Sequence, residues 1–147
     1  MPNPLVNQGT LNRLRASVLF PSFPELNVTS PFLGDEGITI SFEGESTVYI
    51  NTMTGAVTSP EPYLLFTMRI ALLKTQPLSS AYKAQMEADA RLGDCTVRPD
   101  AATLSPYQLT NTSIANVEGM MFNGKQAIYP VTIKGYYIIN NDLFNAQ

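Results

Sequence analysis

The sequence predicts a mainly β fold, a small antiparallel β-barrel or rolled sandwich with one α-helix at about residues 79–92. Three observations carry this. Long stretches alternate apolar and polar residues with a period of two, the single stretch from Leu78 to Leu92 has helical spacing instead, and prolines and glycines punctuate the chain between them. The clearest strand is Tyr63 to Leu73. Leu64, Phe66, Met68, Ile70 and Leu72 fall on one face, fit for a core, and Tyr63, Leu65, Thr67, Arg69 and Ala71 on the other, fit for a mixed surface.

A length of 147 residues suits one domain, residues 11–147, preceded by an arm over residues 1–10 that carries Pro2, Pro4 and Gly9. Asn12 to Phe20 reads as the first strand, with Leu14, Ala16, Val18 and Phe20 opposite Arg13, Arg15 and Ser17, until Pro21 and Pro24 stop regular pairing. Ile38, Ile40 and Phe42 then alternate with Thr39, Ser41 and Glu43. Val48 and Ile50 keep the same period beyond Gly44, which predicts one long strand with a bulge at the glycine. Thr54-Gly55 reverses the chain, and Pro60-Glu61-Pro62 cannot donate a full ladder of hydrogen bonds, so a hairpin over about residues 47–62 protrudes at an edge.

The helix is expected to be capped by Ser79 or Ser80 and closed at Gly93, with Leu78, Ala81, Tyr82, Met86 and Leu92 sharing a face that Gln85 and Asp89 interrupt. A short strand from Cys95 to Arg98 ends at Pro99. Leu109 to Val117 resumes a β pattern, Phe122-Asn123-Gly124-Lys125 supplies a turn, and Ala127 to Ile139 is the last strand, with Tyr129, Val131, Ile133, Tyr137 and Ile139 on one face. That makes about seven strands with one helix.

Composition narrows the function classes. Only 14% of residues are charged, against roughly 25% in ordinary soluble domains, so much of the surface is expected to meet other subunits. A formal charge of −3 opposes tight binding to nucleic-acid phosphates. There is no histidine, which removes the commonest general base and metal ligand and with them the Ser-His-Asp and Cys-His arrangements. Ser80-Ala81-Tyr82-Lys83 fits a Ser-x-x-Lys pattern, but the Ser-Asp-Asn and Lys-Thr-Gly partners of that chemistry are missing. No Gly-rich phosphate loop is present, so no enzyme, metal or cofactor is expected. The lone Cys95 is read as a buried thiol in a protein assembled in a reducing cytoplasm. The N-terminus lacks a signal-peptide pattern, and no apolar stretch is long enough to span a membrane. Glu43 and Glu45, two apart on one strand, either line a surface with negative charge or form an ordinary solvated face. The spacing leaves both open.

The order of elements, with a strand ending Leu72-Leu73-Lys74-Thr75-Gln76-Pro77, one helix, Cys95-Thr96-Val97-Arg98 and a closing hairpin, resembles tail tube proteins of contractile-tailed bacteriophages. The Gly9-Thr10-Leu11-Asn12-Arg13-Leu14-Arg15 opening is also similar to that family. The resemblance implies a structural virion protein in the phage tail, assembled in the bacterial cytoplasm. Its hexameric rings would stack into a conduit for genomic DNA, which passes without tight binding. Tail sheath and baseplate proteins are the implied partners. Glu43 and Glu45 would then line the channel. Thr54, Gly55, Pro60, Glu61 and Pro62 of the hairpin, with Arg13 and Arg15 of the N-terminal segment, would contact neighbouring subunits or rings. Lys83, Glu87 and Arg91, on a helix covering the outer face of the barrel, would face the sheath. A tube-initiator, baseplate or tail-terminal ring of the same fold, or a secretion-system tube, fits the same resemblance. From another class, a β-barrel carrier would hold an apolar ligand against the Leu64 to Leu72 face.

Overall fold

The computed structural model describes residues 16–99, 104–117 and 122–144. The chain is mainly β. Its strands are β1 (Ala16–Leu19), β2 (Leu33–Glu43), β3 (Thr47–Asn51), β4 (Ala56–Pro60), β5 (Tyr63–Leu73), β6 (Arg91–Pro99), β7 (Tyr107–Asn116) and β8 (Ile128–Ile138). Helix α1 (Leu78–Ala88) lies between β5 and β6, and a single turn, α2 (Asn141–Phe144), follows β8. Six strands form one antiparallel sheet in the order β1-β6-β7-β8-β5-β2, curled into a half-barrel, while β3 and β4 make a separate two-stranded ribbon.

The alternation read in β5 sets the register of the sheet. Ile70 sits between Ile38 of β2 and Val131 of β8, Met68 between Ile40 and Ile133, and Phe66 between Phe42 and Gly135. These rows form the concave face. Phe66, Met68, Ile70 and Leu72 are buried there with Val18, Phe20, Leu92, Val97, Leu109 and Ile114 from the other strands. Burial of each such side chain contributes roughly 1.5–3 kcal/mol.

Gly135 fits this packing because it has no side chain. A Cβ there would lie 2.8 Å from Cε1 of Phe66 and 2.9 Å from the carbonyl oxygen of Thr110, and the second contact is backbone of the neighbouring strand. Gly135→Ala should therefore destabilise the fold by about 1–3 kcal/mol through overpacking. In urea denaturation the midpoint should fall at unchanged slope. An unshifted midpoint would show that the Phe66 ring is not seated over the glycine.

Three sequence expectations are corrected. The chain does not continue as one strand past Gly44. That glycine has φ +86°, β2 ends before it, and Val48 and Ile50 belong to the separate ribbon. The helix runs from Leu78 to Ala88 rather than to about residue 92, and neither Ser79 nor Ser80 caps it. Pro77 precedes the first turn, and the Ser79 hydroxyl donates to the Gln76 carbonyl at 3.0 Å. Asp89 turns extended because its carboxylate accepts from the Arg91 backbone N–H and guanidinium. Gly93, at φ +78°, is a bulge residue inside β6 where the pairing with β7 shifts, so Leu92 and Arg91 are strand residues. Lastly, the helix does not lie on the outer face of the barrel. It closes one end of the concave side, where Tyr82 packs edge-on to Phe20 at 6.5 Å and donates to the Leu26 carbonyl at 2.6 Å.

Candidate functional site

Among the described residues the ribbon formed by β3 and β4 stands apart from the main sheet. Asn51 pairs with Ala56 and Thr47 with Pro60, and the Thr52 N–H donates to the Gly55 carbonyl at 2.8 Å to close the turn. Its register puts Val48, Ile50 and Val57 on one face, yet Ile50 and Val57 are each 53% exposed, and Met53 at the tip is fully exposed. A two-stranded hairpin is marginal in water unless an apolar face is covered. No charged residue occurs from Ser46 to Pro60. The base is held instead by Asn140, in the left-handed region at φ +54°, whose Nδ2 donates to the carbonyls of Ser46 (3.2 Å) and Glu61 (2.7 Å).

Among the described residues the large sheet ends in two border strands. β1 is a border strand, partly covered by paired hydrogen bonds between Val18 and Val28. β2 is the other, and from Ile38 to Glu43 its outer edge meets no further strand among the described residues. An edge of that length is a template for another chain. The convex face of β2, β5 and β8 is apolar at the ribbon end, where Tyr63, Leu65 and Ile138 are about half-exposed and the Tyr63 and Tyr136 rings lie 5.7 Å apart. Further along it becomes polar. There the Arg69 guanidinium pairs with Glu36 at 2.6 Å and Lys134 lies opposite Thr67.

The concave side holds a cavity of about 420 Å³ at the end away from α1. Ala16 of β1, Ile38 and Ile40 of β2, Val97 of β6, Tyr107 of β7 and Tyr137 of β8 line it, so it opens between the two borders of the curled sheet. Phe42, Tyr107 and Tyr137 form an aromatic cluster beside it, with centroids 5.4 to 6.0 Å apart. The carrier reading placed a pocket on the Leu64 to Leu72 face. Phe66, Met68, Ile70 and Leu72 are instead closed up in the core, and none of them lines this cavity.

The predicted site residues are distributed as follows. Glu43 ends β2 and accepts from the Thr67 hydroxyl at 3.3 Å, whereas Glu45 lies past Gly44 in the link to the ribbon. The two carboxylates do not share a strand face, because the chain leaves the sheet between them. Among the described side chains projecting from the convex face of β2, β5 and β8, Glu36 and Glu43 are balanced by Arg69 and Lys134. Thr54 and Gly55 occupy the ribbon turn. Pro60 pairs with Thr47, the Glu61 N–H donates to Ser46, and the Pro62 carbonyl accepts from Ile139. Lys83 and Glu87 stand exposed on α1 and pair at 2.6 Å, which raises the Lys83 pKa through its hydrogen bond to Glu87. Arg91 starts β6 and pairs with Asp89, whose pKa it lowers. Arg13 and Arg15 lie outside the described residues.

Burial pushes the Cys95 thiol up to about 12, so it carries no reactive thiolate near neutrality. Among the described residues no helix is long and apolar enough to cross a membrane. No group of three or more His, Cys, Asp or Glu side chains there could hold a metal ion. No protein-family model and no curated protein matches the chain.

Proposed function

We propose that this chain is a non-enzymatic structural subunit that assembles with copies of itself into a hollow tube, as in the tail of a contractile-tailed phage. The observation that carries this reading is the ribbon, whose uncharged apolar face is left in solvent beside the border strand β2, whose outer edge from Ile38 to Glu43 meets no further strand among the described residues. Both are features that a subunit buries and a free monomer has reason to avoid. Head-to-tail contacts between such surfaces close into rings when the rotation permits. The family resemblance supplies the hexamer and the virion setting. With α1 and the exposed sheet face on opposite sides of the core, the convex face of β2, β5 and β8 would look into the lumen. Lys83 and Glu87 would look outward to a sheath. A lumen with balanced charges would pass DNA because it offers no net attraction to phosphate, rather than by the repulsion an acidic lining would give.

Electron microscopy and sedimentation of the purified protein at micromolar concentration test this. Rings or filaments with a central opening are expected. A particle of 16.1 kDa at every concentration would exclude the tube and leave the carrier, which the open cavity alone favours. Abundance in isolated particles separates a tube subunit from an initiator or terminal ring, since the tube subunit is the one present in many copies.

A further inference from the structure

We infer that Asn123-Gly124, in the link between β7 and β8, is a site of spontaneous self-modification, where the asparagine side chain is lost as ammonia and the main chain is rebuilt through a cyclic imide. This inference does not rest on the assembly reading. Asn123 is the one asparagine of the sequence that glycine follows, and both residues are exposed among the described residues. Valine or threonine follows Asn27, Asn51, Asn111 and Asn116, and a side chain branched at Cβ crowds the backbone nitrogen that would have to attack.

The local backbone is not the one this dipeptide favours. A two-residue Asn-Gly hairpin needs positive φ at both positions, whereas neither Asn123 nor Gly124 has it. Asn123 closes the turn with its side chain instead. Its Oδ1 accepts from the backbone N–H of Lys125 at 2.9 Å and from that of Gln126 at 2.7 Å. A turn of this kind folds the side chain back over the peptide that follows it, which carries Cγ toward the Gly124 nitrogen. The two N–H groups also draw electron density from the Cγ carbonyl. They are placed to stabilise the negative charge that gathers on Oδ1 as the nitrogen adds, as an oxyanion hole does in acyl transfer. Glycine, with no side chain, leaves the five-membered ring free to close.

The Gly124 N–H gives its proton to hydroxide, the nitrogen bonds to Cγ, and the Cγ–Nδ2 bond breaks as Nδ2 takes a proton from water and leaves as ammonia. Water then opens the imide. Addition at Cγ breaks the new Cγ–N bond and leaves aspartate. Addition at the main-chain carbonyl of residue 123 breaks its bond to the Gly124 nitrogen and leaves isoaspartate, with the chain rerouted through Cβ and Cγ. Either product adds one negative charge to a formal −3. The charge appears in a link that Lys74 holds through the Gln126 carbonyl at 3.1 Å.

The test incubates the folded full-length protein at mildly alkaline pH in heavy-oxygen water and follows each asparagine by peptide mass spectrometry. Asn123 should convert before any other asparagine, at least as fast as in an unstructured peptide of the same sequence, with one heavy oxygen gained and isoaspartate among the products. Gly124→Ala should slow the conversion severalfold while melting as the wild type does. An added Cβ there meets no described atom within 4 Å, and the backbone is not left-handed. An Asn123 that stays intact in the folded chain while the peptide converts would show that the two hydrogen bonds hold the side chain away from the nitrogen, and would overturn the inference. Aspartate without isoaspartate would also overturn it, because that pattern marks direct hydrolysis and no imide. So would conversion of Gly124→Ala at the wild-type rate.

Discussion

Tyr82→Ala should destabilise the fold by about 3–5 kcal/mol, the largest loss expected of any single change on the helix. The ring is almost wholly buried, meets Phe20 edge-on, and carries a hydroxyl bonded to the Leu26 carbonyl at 2.6 Å. Truncation removes the aromatic packing that closes one end of the half-barrel and leaves a buried carbonyl unpaired. Tyr82→Phe keeps the packing and should lose about 1–3 kcal/mol, which separates the two contributions. The pH dependence supplies an independent check. Burial raises the Tyr82 pKa from its ordinary 10.0, so the folded state favours the neutral phenol. This stability is fully present below pH 10 and is lost as pH rises beyond it. Cys95, raised from 9.0 to about 12, acts in the same direction from pH 9 upward. Denaturant midpoints measured from pH 7 to 11 should therefore fall above pH 9. The fall beyond pH 10 should be shallower in Tyr82→Phe than in the wild type. Should Tyr82→Ala melt at the wild-type temperature, the helix does not dock on the core.

Local patterns were legible and their long-range consequences were not. The alternation from Tyr63 to Leu73 marks β5 and its buried face because one strand between two partners records both in its own sequence. The hairpin was legible too, since a turn between proline-limited strands is a local event. Gly44 and Gly93 were misassigned for a shared reason. A glycine reports that φ can be positive, and both residues use that freedom, but it does not say which element needs it. At Gly93 a bulge and a helix stop make the same demand. Val48 and Ile50 stay in phase with Ile40 and Phe42, so periodicity gives a strand while concealing that it lies in another sheet. The aromatic cluster of Phe42, Tyr107 and Tyr137 joins residues from three strands, and no spacing along the chain predicts it. Asn140 was missed for a similar reason. Its contacts to Ser46 and Glu61 cross most of the chain, and an isolated asparagine after a strand carries no distinguishing signal.

Replacing Ile50 by Lys together with Val57 by Glu should abolish the proposed self-assembly while leaving the monomer folded. The two residues face each other across the ribbon, so the new side chains form a cross-strand pair of opposite charge and preserve the hairpin. Both native side chains are half-exposed in the isolated chain, and neither contributes to the main core, so the melting temperature should move by no more than a few degrees. Between subunits the balance reverses. Each apolar side chain covered by a neighbour contributes roughly 1.5–3 kcal/mol, and the charged replacements would have to be desolvated to occupy the same interface. A combined loss on the order of 5 kcal/mol raises the assembly threshold by more than a thousandfold. Sedimentation velocity across a concentration series reads this directly, with circular dichroism and thermal melting as the control for folding. Assembly at the wild-type threshold, by a variant that melts normally, would show that the ribbon is not an interface. The exposed Val48, Ile50 and Val57 face would then lose its claim to a partner. The outer edge of β2, which meets no further strand among the described residues, would alone have to hold the proposed assembly together, and backbone pairing along six residues is a weak basis for it.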